Sequence, residues 1–331
     1  MKKILILGGT GFVGRILTEK LVKTENEITL FNRGKTNPDI FPEVKRIKGD
    51  RNTNDVKQIV GTSWDVIIDF SGMYPDNIDE ITELMKGKVG RYIFISSCSV
   101  YPLDEPAKLK FPVSEENEIL PCTKEQGLDR NVMTAYGNKK AECERILLGK
   151  DWLDAIIFRP ALIFGRYDPT DRFYYWLYRV KTQDEILIPD EGKFMFTNSF
   201  SEDLAEILFE AINIEKHRKV YNGTTHDPAS FKEFLDIAAK QAGREPSCVS
   251  ASTDFLHDNE VNEWADLPMW ITGFDMNFDN TRLKADFTSS LTNFPQCVKR
   301  TIEYYDSLGW KEGRYGLRLE KEKELIKKLT K

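Results

Sequence analysis

Histidine is scarce in this chain. The three residues, His217, His226 and His257, show no H-E-x-x-H or comparable ligand spacing, which argues against a metal site. The five cysteines (Cys98, Cys122, Cys143, Cys248, Cys297) are odd in number, scattered and without a C-x-x-C pair. They read as free thiols of a reducing compartment, not as a disulfide framework. No apolar run approaches the length of a membrane span. The opening M-K-K-I-L-I-L imitates a secretory signal but is cut at once by Gly8 and Gly9. A surplus of positive charge is missing too: Lys and Arg total 47 against 53 Asp and Glu, a net charge of −6. Nothing in that balance invites DNA, RNA or an anionic membrane. Internal repeats and low-complexity tracts are absent. What remains is a chain expected in the cytoplasm, with 40% apolar and 30% charged residues and, at 331 residues, length for about two domains.

What is present begins at Ile4. I-L-I-L reads as a buried strand of a parallel sheet, which needs no polar alternation. Gly8, Gly11 and Gly14 follow, and then an amphipathic helical pattern through Phe12, Val13, Ile16, Leu17 and Leu21. Strand, glycine turn and helix in that order open a dinucleotide-binding unit. Gly8 permits the tight turn, Gly11 lets backbone amides approach a pyrophosphate, and Gly14 lets the helix lie close to the sheet. The spacing is G-x-x-G-x-x-G, not G-x-G-x-x-G. A diphosphate would rest on the helix N-terminus, cradled by the backbone from Gly8 through Thr10, Gly11, Phe12 and Val13 to Gly14.

Further strands are expected at Glu27–Asn32, Val44–Lys48, Asp65–Phe70, Arg91–Ser96 and Ala155–Arg159, with a helix from about Met133 to Leu148. The second strand ends in Asn32-Arg33-Gly34, about 20 residues beyond the glycines, where such a fold meets the adenosine ribose. No acid stands there to grip the ribose diol. Arg33 instead suits a 2′-phosphate, with Lys35 nearby. Asp50, in Gly49-Asp50-Arg51, is placed either to accept from the adenine amino group or to act only as a loop acid. Ser71-Gly72 leaves room for a ribose and nicotinamide. Pro102 to Thr134 reads as a long surface excursion. The closing E-K-E-K-E-L-I-K-K-L reads as a helix with a solvated, charged face.

Tyr136 and Lys140 are four apart on a helix and share one face. A neighbouring ammonium stabilises the phenolate and moves tyrosine toward general acid/base use near neutrality. Lys140 can also hold the nicotinamide ribose. Ser97, at the end of a neighbouring strand, is placed to hydrogen-bond a substrate carbonyl or alcohol oxygen.

With these residues the chain resembles the short-chain dehydrogenase/reductase superfamily, in its extended or atypical NAD(P)-dependent epimerase/dehydratase branch. The motifs are G-G-T-G-F-V-G at 8–14, G-D-R at 49–51, I-S-S-C-S-V-Y at 95–101, Y-G-N-K-K at 136–140 and R-P-A-L-I-F-G at 159–165. The resemblance implies an α/β Rossmann fold, a doubly wound parallel sheet with a smaller C-terminal substrate lobe. It implies Ser97 as the carbonyl-orienting residue, Tyr136 as acid/base and Lys140 as its activator. It also implies Asp50 on adenine and Pro160 beside the nicotinamide. F-T-N-S-F-S-E-D-L-A at 196–205 matches the segment that returns to the Rossmann domain, which gives 1–162 with 196–224 for that domain and 163–195 with 225–331 for the lobe.

Many sugar-nucleotide enzymes of this branch carry Asn just after the sixth strand, where Arg159-Pro160 stands here. The chain is also similar to the plastid stem-loop RNA-binding relatives of the branch, through T-L-F-N-R-G-K, K-G-D-R and the surroundings of Tyr221-Asn222-Gly223. Those relatives tend to lack the Tyr–Lys pair. The expected protein is therefore an NAD(P)-dependent oxidoreductase, epimerase or dehydratase acting on a carbonyl or secondary alcohol of a small molecule. The alternative is a non-catalytic RNA binder or NADP(H) sensor on the same fold. NADP is expected ahead of NAD, nucleic acid and membrane partners are not, and the assembly is a monomer or homodimer. Asp168, Asp171, Arg172 and the aromatics 173–176 mix charge with flat surface; most of those aromatics read as lobe core.

Overall fold

The computed structural model describes residues 1–330, which divide into two compact units. The first comprises Met1–Leu162, Ser201–Thr225 and Phe278–Ser290. Its centre is a parallel sheet of β1 (Lys3–Leu7), β2 (Glu27–Asn32), β3 (Lys45–Lys48), β4 (Trp64–Asp69), β5 (Val89–Ile95), β6 (Asp154–Arg159) and a seventh strand, Val220–Asn222. The spatial order is β3-β2-β1-β4-β5-β6 followed by the seventh strand. This is the doubly wound Rossmann order, which reverses direction between β1 and β4 and so opens a crevice at their carboxyl ends. The six strands read from the sequence are present within two residues of their expected ends. The seventh, V-Y-N, is too short to show a pattern and exists through pairing with β6.

β1 is apolar throughout because helices cover both faces of the sheet. Ile4 to Leu7 are fully buried. α1 (Phe12–Leu21) covers one face with Val13, Ile16, Leu17 and Leu21, beside the helix Ser201–Ala211. The other face carries α2 (Pro75–Leu84), the short α3 (Lys124–Leu128) and α4 (Tyr136–Leu148). Leu5, Ile67, Ile78, Phe94, Cys143 and Leu147 share one core there. α4 starts at Tyr136, later than the expected Met133, because Ala135 sits in the left-handed region at φ 50°. The excursion from Pro102 is irregular apart from one 3₁₀ turn, Pro106–Lys108, and α3, yet Leu109 and Val113 within it are buried.

The second unit comprises Ile163–Phe200, His226–Asn277 and the chain from Leu291 onward. α5 (Arg172–Thr182) packs on the helix Phe231–Ala242, which packs on Phe294–Leu308. Phe164 and Phe173 stack at 4.0 Å, and Phe196, Phe234 and Phe294 complete the cluster. Phe173, Tyr174, Tyr175 and Trp176 are all buried. The last helix, Leu319–Leu329, departs from expectation. Glu322, Leu325 and Ile326 fall on one stripe and are buried, and the Glu322 carboxylate accepts from Arg179 Nε at 2.7 Å. A glutamate can enter because a fully buried arginine meets it there. No helix among the described residues is long and apolar enough to cross a membrane.

Candidate functional site

β1 delivers the chain to Gly8 and Gly9 at φ 109° and 81°, conformations that glycine adopts without steric cost. A Cβ on Gly9 would lie 2.7 Å from a Leu30 methyl, and one on Gly14 would lie 3.2 Å from the Gly9 backbone. Gly11 differs. A Cβ there would meet only the Thr36 methyl, at an ordinary 3.5 Å, and Gly11 gives α1 an N-terminus with no side-chain cap. The loop is braced from the β2–β3 connection: Asn32 Nδ2 donates to the Gly8 carbonyl at 2.9 Å and Asn37 Nδ2 to that of Thr10 at 2.8 Å. An uncapped helix start behind a braced glycine loop suits an anionic diphosphate.

The loop forms one end of a cavity of about 560 Å³ over the carboxyl ends of β1 to β4. It is lined by residues 8–11, 31–36, 49–52 and 70–74, with Val132, Tyr136 and Lys140. Of the sequence-derived candidates, Gly8, Thr10, Gly11, Asn32, Arg33, Asp50, Arg51, Ser71, Gly72, Tyr136 and Lys140 share this one wall. Phe12, Val13, Gly14, Ser97 and Pro160 are not part of it. The first three begin α1, and Val13 is buried against the sheet. Asn32 lines the cavity with its amide already engaged, since its Oδ1 accepts from Gly34 N at 3.0 Å. Arg33 and Lys35 are exposed. Lys48, on β3, runs alongside, its side chain 3.5 Å from where a Gly34 Cβ would stand. Asp50 accepts from Asn52 N at 3.0 Å in a tight turn.

At the other end lies Lys140, 4% exposed. Its Nζ donates to the carbonyls of Gly72 and Ile95, each at 2.7 Å, and sits 4.6 Å over the Phe94 ring. Burial pulls its pKa down to about 8, against partial support from the Asp69 and Glu144 carboxylates. Tyr136 is one turn earlier on α4 and half-buried. Ser97 follows β5; its Oγ accepts from Ser99 N at 3.1 Å. Cys98 N donates to Pro160 O at 2.9 Å, tying the turns after β5 and β6. α4 abuts the β5 turn through Gly137, where a Cβ would come within 1.9 Å of the Ser99 carbonyl oxygen. Ser97 and Tyr136 therefore belong to segments in contact, although only Tyr136 reaches the cavity wall.

Below the wall is a layer of buried charge that sequence reasoning did not find. Arg51 Nη1 donates to Asp69 Oδ1 at 2.6 Å and to Ser71 Oγ at 3.0 Å. Asp69 is fully buried and also accepts from Tyr92 OH at 2.7 Å and Ser71 N at 2.9 Å. Burial pushes its carboxyl upward, but the Arg51 cation and these donors hold it below the usual carboxylate range. A second pair, Glu144 with Arg159, carries Ser96 Oγ on the acid and Tyr101 OH on the base. The available signal was a second carboxylate, Asp69, after the apolar run of the strand D-V-I-I-D-F, and an acid four residues beyond Lys140.

Residues 4–222 match the NAD dependent epimerase/dehydratase family. Among curated proteins, the chloroplast stem-loop binding protein of 41 kDa b of Arabidopsis thaliana is 28% identical over 269 residues, 75% of this chain. The chain spans 65% of that relative's length. Among solved structures, WbmG of Bordetella bronchiseptica in complex with NAD superposes with a TM-score of 0.71 at 17% identity, covering 94% of this chain and 96% of that one. UDP-glucuronic acid 4-epimerase of Bacillus cereus, in complex with NAD, gives 0.68 at 16% identity, over 92% and 99%. At such identities these two likenesses describe the fold.

Proposed function

The chain belongs to the NAD dependent epimerase/dehydratase family, and from that premise we propose that it is an NAD(P)-dependent epimerase, dehydratase or reductase. It acts at a carbonyl or secondary alcohol carbon, with Tyr136 as acid/base. A sugar or sugar nucleotide is the first substrate class to test, since one solved enzyme of similar fold is a UDP-glucuronic acid 4-epimerase. The observation that carries this reading is one cavity joining the glycine loop to Tyr136 and Lys140. The first unit would hold the dinucleotide and the second the substrate.

In this reading residues 8–14 bind the diphosphate, Asp50 the adenine, and Arg33 with Lys35 a 2′-phosphate. Ser71, Gly72 and Pro160 bound the nicotinamide side, with Arg51 beneath. The bound nicotinamide supplies hydride exchange. Lys140, anchored on two carbonyls, keeps a positive charge one helical turn from Tyr136 and favours its phenolate. Tyr136 then takes a proton from a substrate hydroxyl or returns one to a carbonyl oxygen, and Ser97 orients that oxygen. Tyr136→Phe should lower turnover by about 10²–10⁴-fold, the usual scale for acid/base catalysis, while dinucleotide binding persists. The check is absorbance at the reduced nicotinamide band together with chiral analysis of product, on a panel of carbonyl compounds and sugar nucleotides. Wild-type turnover by the variant would overturn the assignment.

A second reading follows from the relative named for stem-loop binding: a protein that binds RNA, or senses NADP(H), without turnover. A net charge of −6 speaks against an RNA face. Tight, salt-sensitive gel shifts with structured RNA, alongside silence across the substrate panel, would favour it. The proposed setting is the cytoplasm, as a monomer or homodimer, which light scattering on the purified chain resolves.

A further inference from the structure

Within the buried layer beneath the cavity, two cations, Arg51 and Lys140, act on the Asp69 carboxylate. We propose that Asp69 is a positioning residue: paired with Arg51, it holds the Lys140 ammonium in place and in its charged form. Two contacts carry this. Asp69 Oδ1 accepts from the Ser71 amide and fixes the turn after β4. In that turn a Cβ on Gly72 would stand 2.8 Å from Asp69 Oδ2, so the chain passes directly over the carboxylate. The carbonyl of that same Gly72 receives Lys140 Nζ at 2.7 Å. Asp69 thus sets one of the two acceptors that Lys140 uses and adds a negative charge to the field around it.

The balance of charge gives the direction of the effect. Facing Lys140 are Asp69 from β4, Arg51 from the turn after β3, Cys143 and Glu144 from α4 itself, and the Phe94 ring from β5. Tyr136 lies one turn earlier on α4. Glu144 is engaged by Arg159, and burial holds the Cys143 thiol up at about 12, hence neutral. Tyr92 is likewise neutral, since burial raises its hydroxyl and it donates to Asp69. Asp69 is therefore the anion that favours the Lys140 ammonium most directly, and Arg51 the cation that disfavours it. Removing the first must lower the pKa of Lys140; removing the second must raise it.

The test uses the full chain with lysine carrying carbon-13 at Cε, followed by NMR from pH 6 to 11 without substrate or dinucleotide. The Lys140 signal is assigned by its loss in Lys140→Met. The wild-type midpoint is expected near pH 8. Asp69→Asn should lower it by about one unit or more, the scale on which a nearby opposite charge shifts a pKa. Arg51→Met should raise it, because the cation that opposes the Lys140 ammonium is gone while Tyr92 and Ser71 still donate to Asp69. Opposite shifts are a result that simple loss of packing would not give. An unmoved midpoint in both variants, or movement of the same sign in both, would overturn the proposal. If Asp69→Asn does not fold, Arg51→Met alone decides it: a raised midpoint supports the coupling, and an unchanged or lowered one refutes it. The relevance of this coupling to catalysis rests on the reading above, but the titration does not. Midpoints that shift as stated while Tyr136→Phe retains full turnover would keep the coupling and discard the acid/base role.

Discussion

Arg33 is exposed at the cavity wall with Lys35 and Lys48 close to the same turn, while the neighbouring Asn32 spends its amide on the glycine loop. The sequence at the end of β2, Asn32-Arg33-Gly34-Lys35, has no acid to grip a ribose diol or repel a phosphate. A charge-assisted hydrogen bond contributes about 1.5–3 kcal/mol, or roughly 10- to 150-fold in affinity. NADP(H) should therefore bind at least about tenfold more tightly than NAD(H). Arg33→Ala should remove most of that preference and leave NAD(H) binding nearly unchanged. Added salt should weaken NADP(H) more, since the contact is partly exposed. Calorimetric titration of both dinucleotides into both proteins checks this; equal affinities in the wild type would mean that Arg33 serves only the solvent. The residues legible in the sequence were those whose motif advertises a backbone need or a spacing: the glycines, and the Tyr136–Lys140 pair. Asp69, Tyr92 and Arg159 were not legible. Their partners come from other elements, distant in sequence, and a buried ion pair leaves no periodicity along the chain. Gly137 went unread for a like reason, because its need is set by the Ser99 carbonyl, distant in sequence.

At the scale of elements, apolar pattern marked the inner strands, because parallel strands covered on both faces have no other way to read; the edge strand β3, K-R-I-K, is only partly buried. It failed at the last helix. E-K-E-K-E-L-I-K-K-L has the charge of a solvated surface, yet three residues on one stripe are buried and one of them is Glu322. Charge counts cannot reveal that an acid will meet Arg179, which is itself 2% exposed. Breaking a buried pair leaves an uncompensated charge and costs about 3–5 kcal/mol. Glu322→Ala should lower the denaturant midpoint accordingly. Arg179→Met combined with Glu322→Leu should recover most of the loss, because an apolar pair of similar volume escapes desolvation. Urea unfolding followed by fluorescence measures both; a single variant as stable as wild type would show that the pair contributes nothing.

For the molecule as a whole, ligand linkage gives a test that needs no substrate. A dinucleotide bound only by the folded chain at 100 times its Kd stabilises it by about 2.7 kcal/mol. NADP(H) at a fixed concentration should raise the unfolding temperature more than NAD(H) does, and Arg33→Ala should level the two. No rise with either dinucleotide would speak against the cavity as their site.

The strand Val220–Asn222 and the helix Ser201–Ala211 belong to the same unit as β1 and α1, yet the chain between Leu162 and Ser201 belongs to the other. Seen from the ribosome, the first half of the chain emerges with its sheet unfinished. β6 has an unpaired edge until Val220–Asn222 is made, and the flank of α1 stays bare until residues 201–211 emerge. A chain released after about residue 165 would therefore present a sheet edge and an apolar helix flank, the features that draw chaperones and promote aggregation. Released chains ending near residues 165 and 225 should differ sharply in protease resistance, since only the longer carries all seven strands.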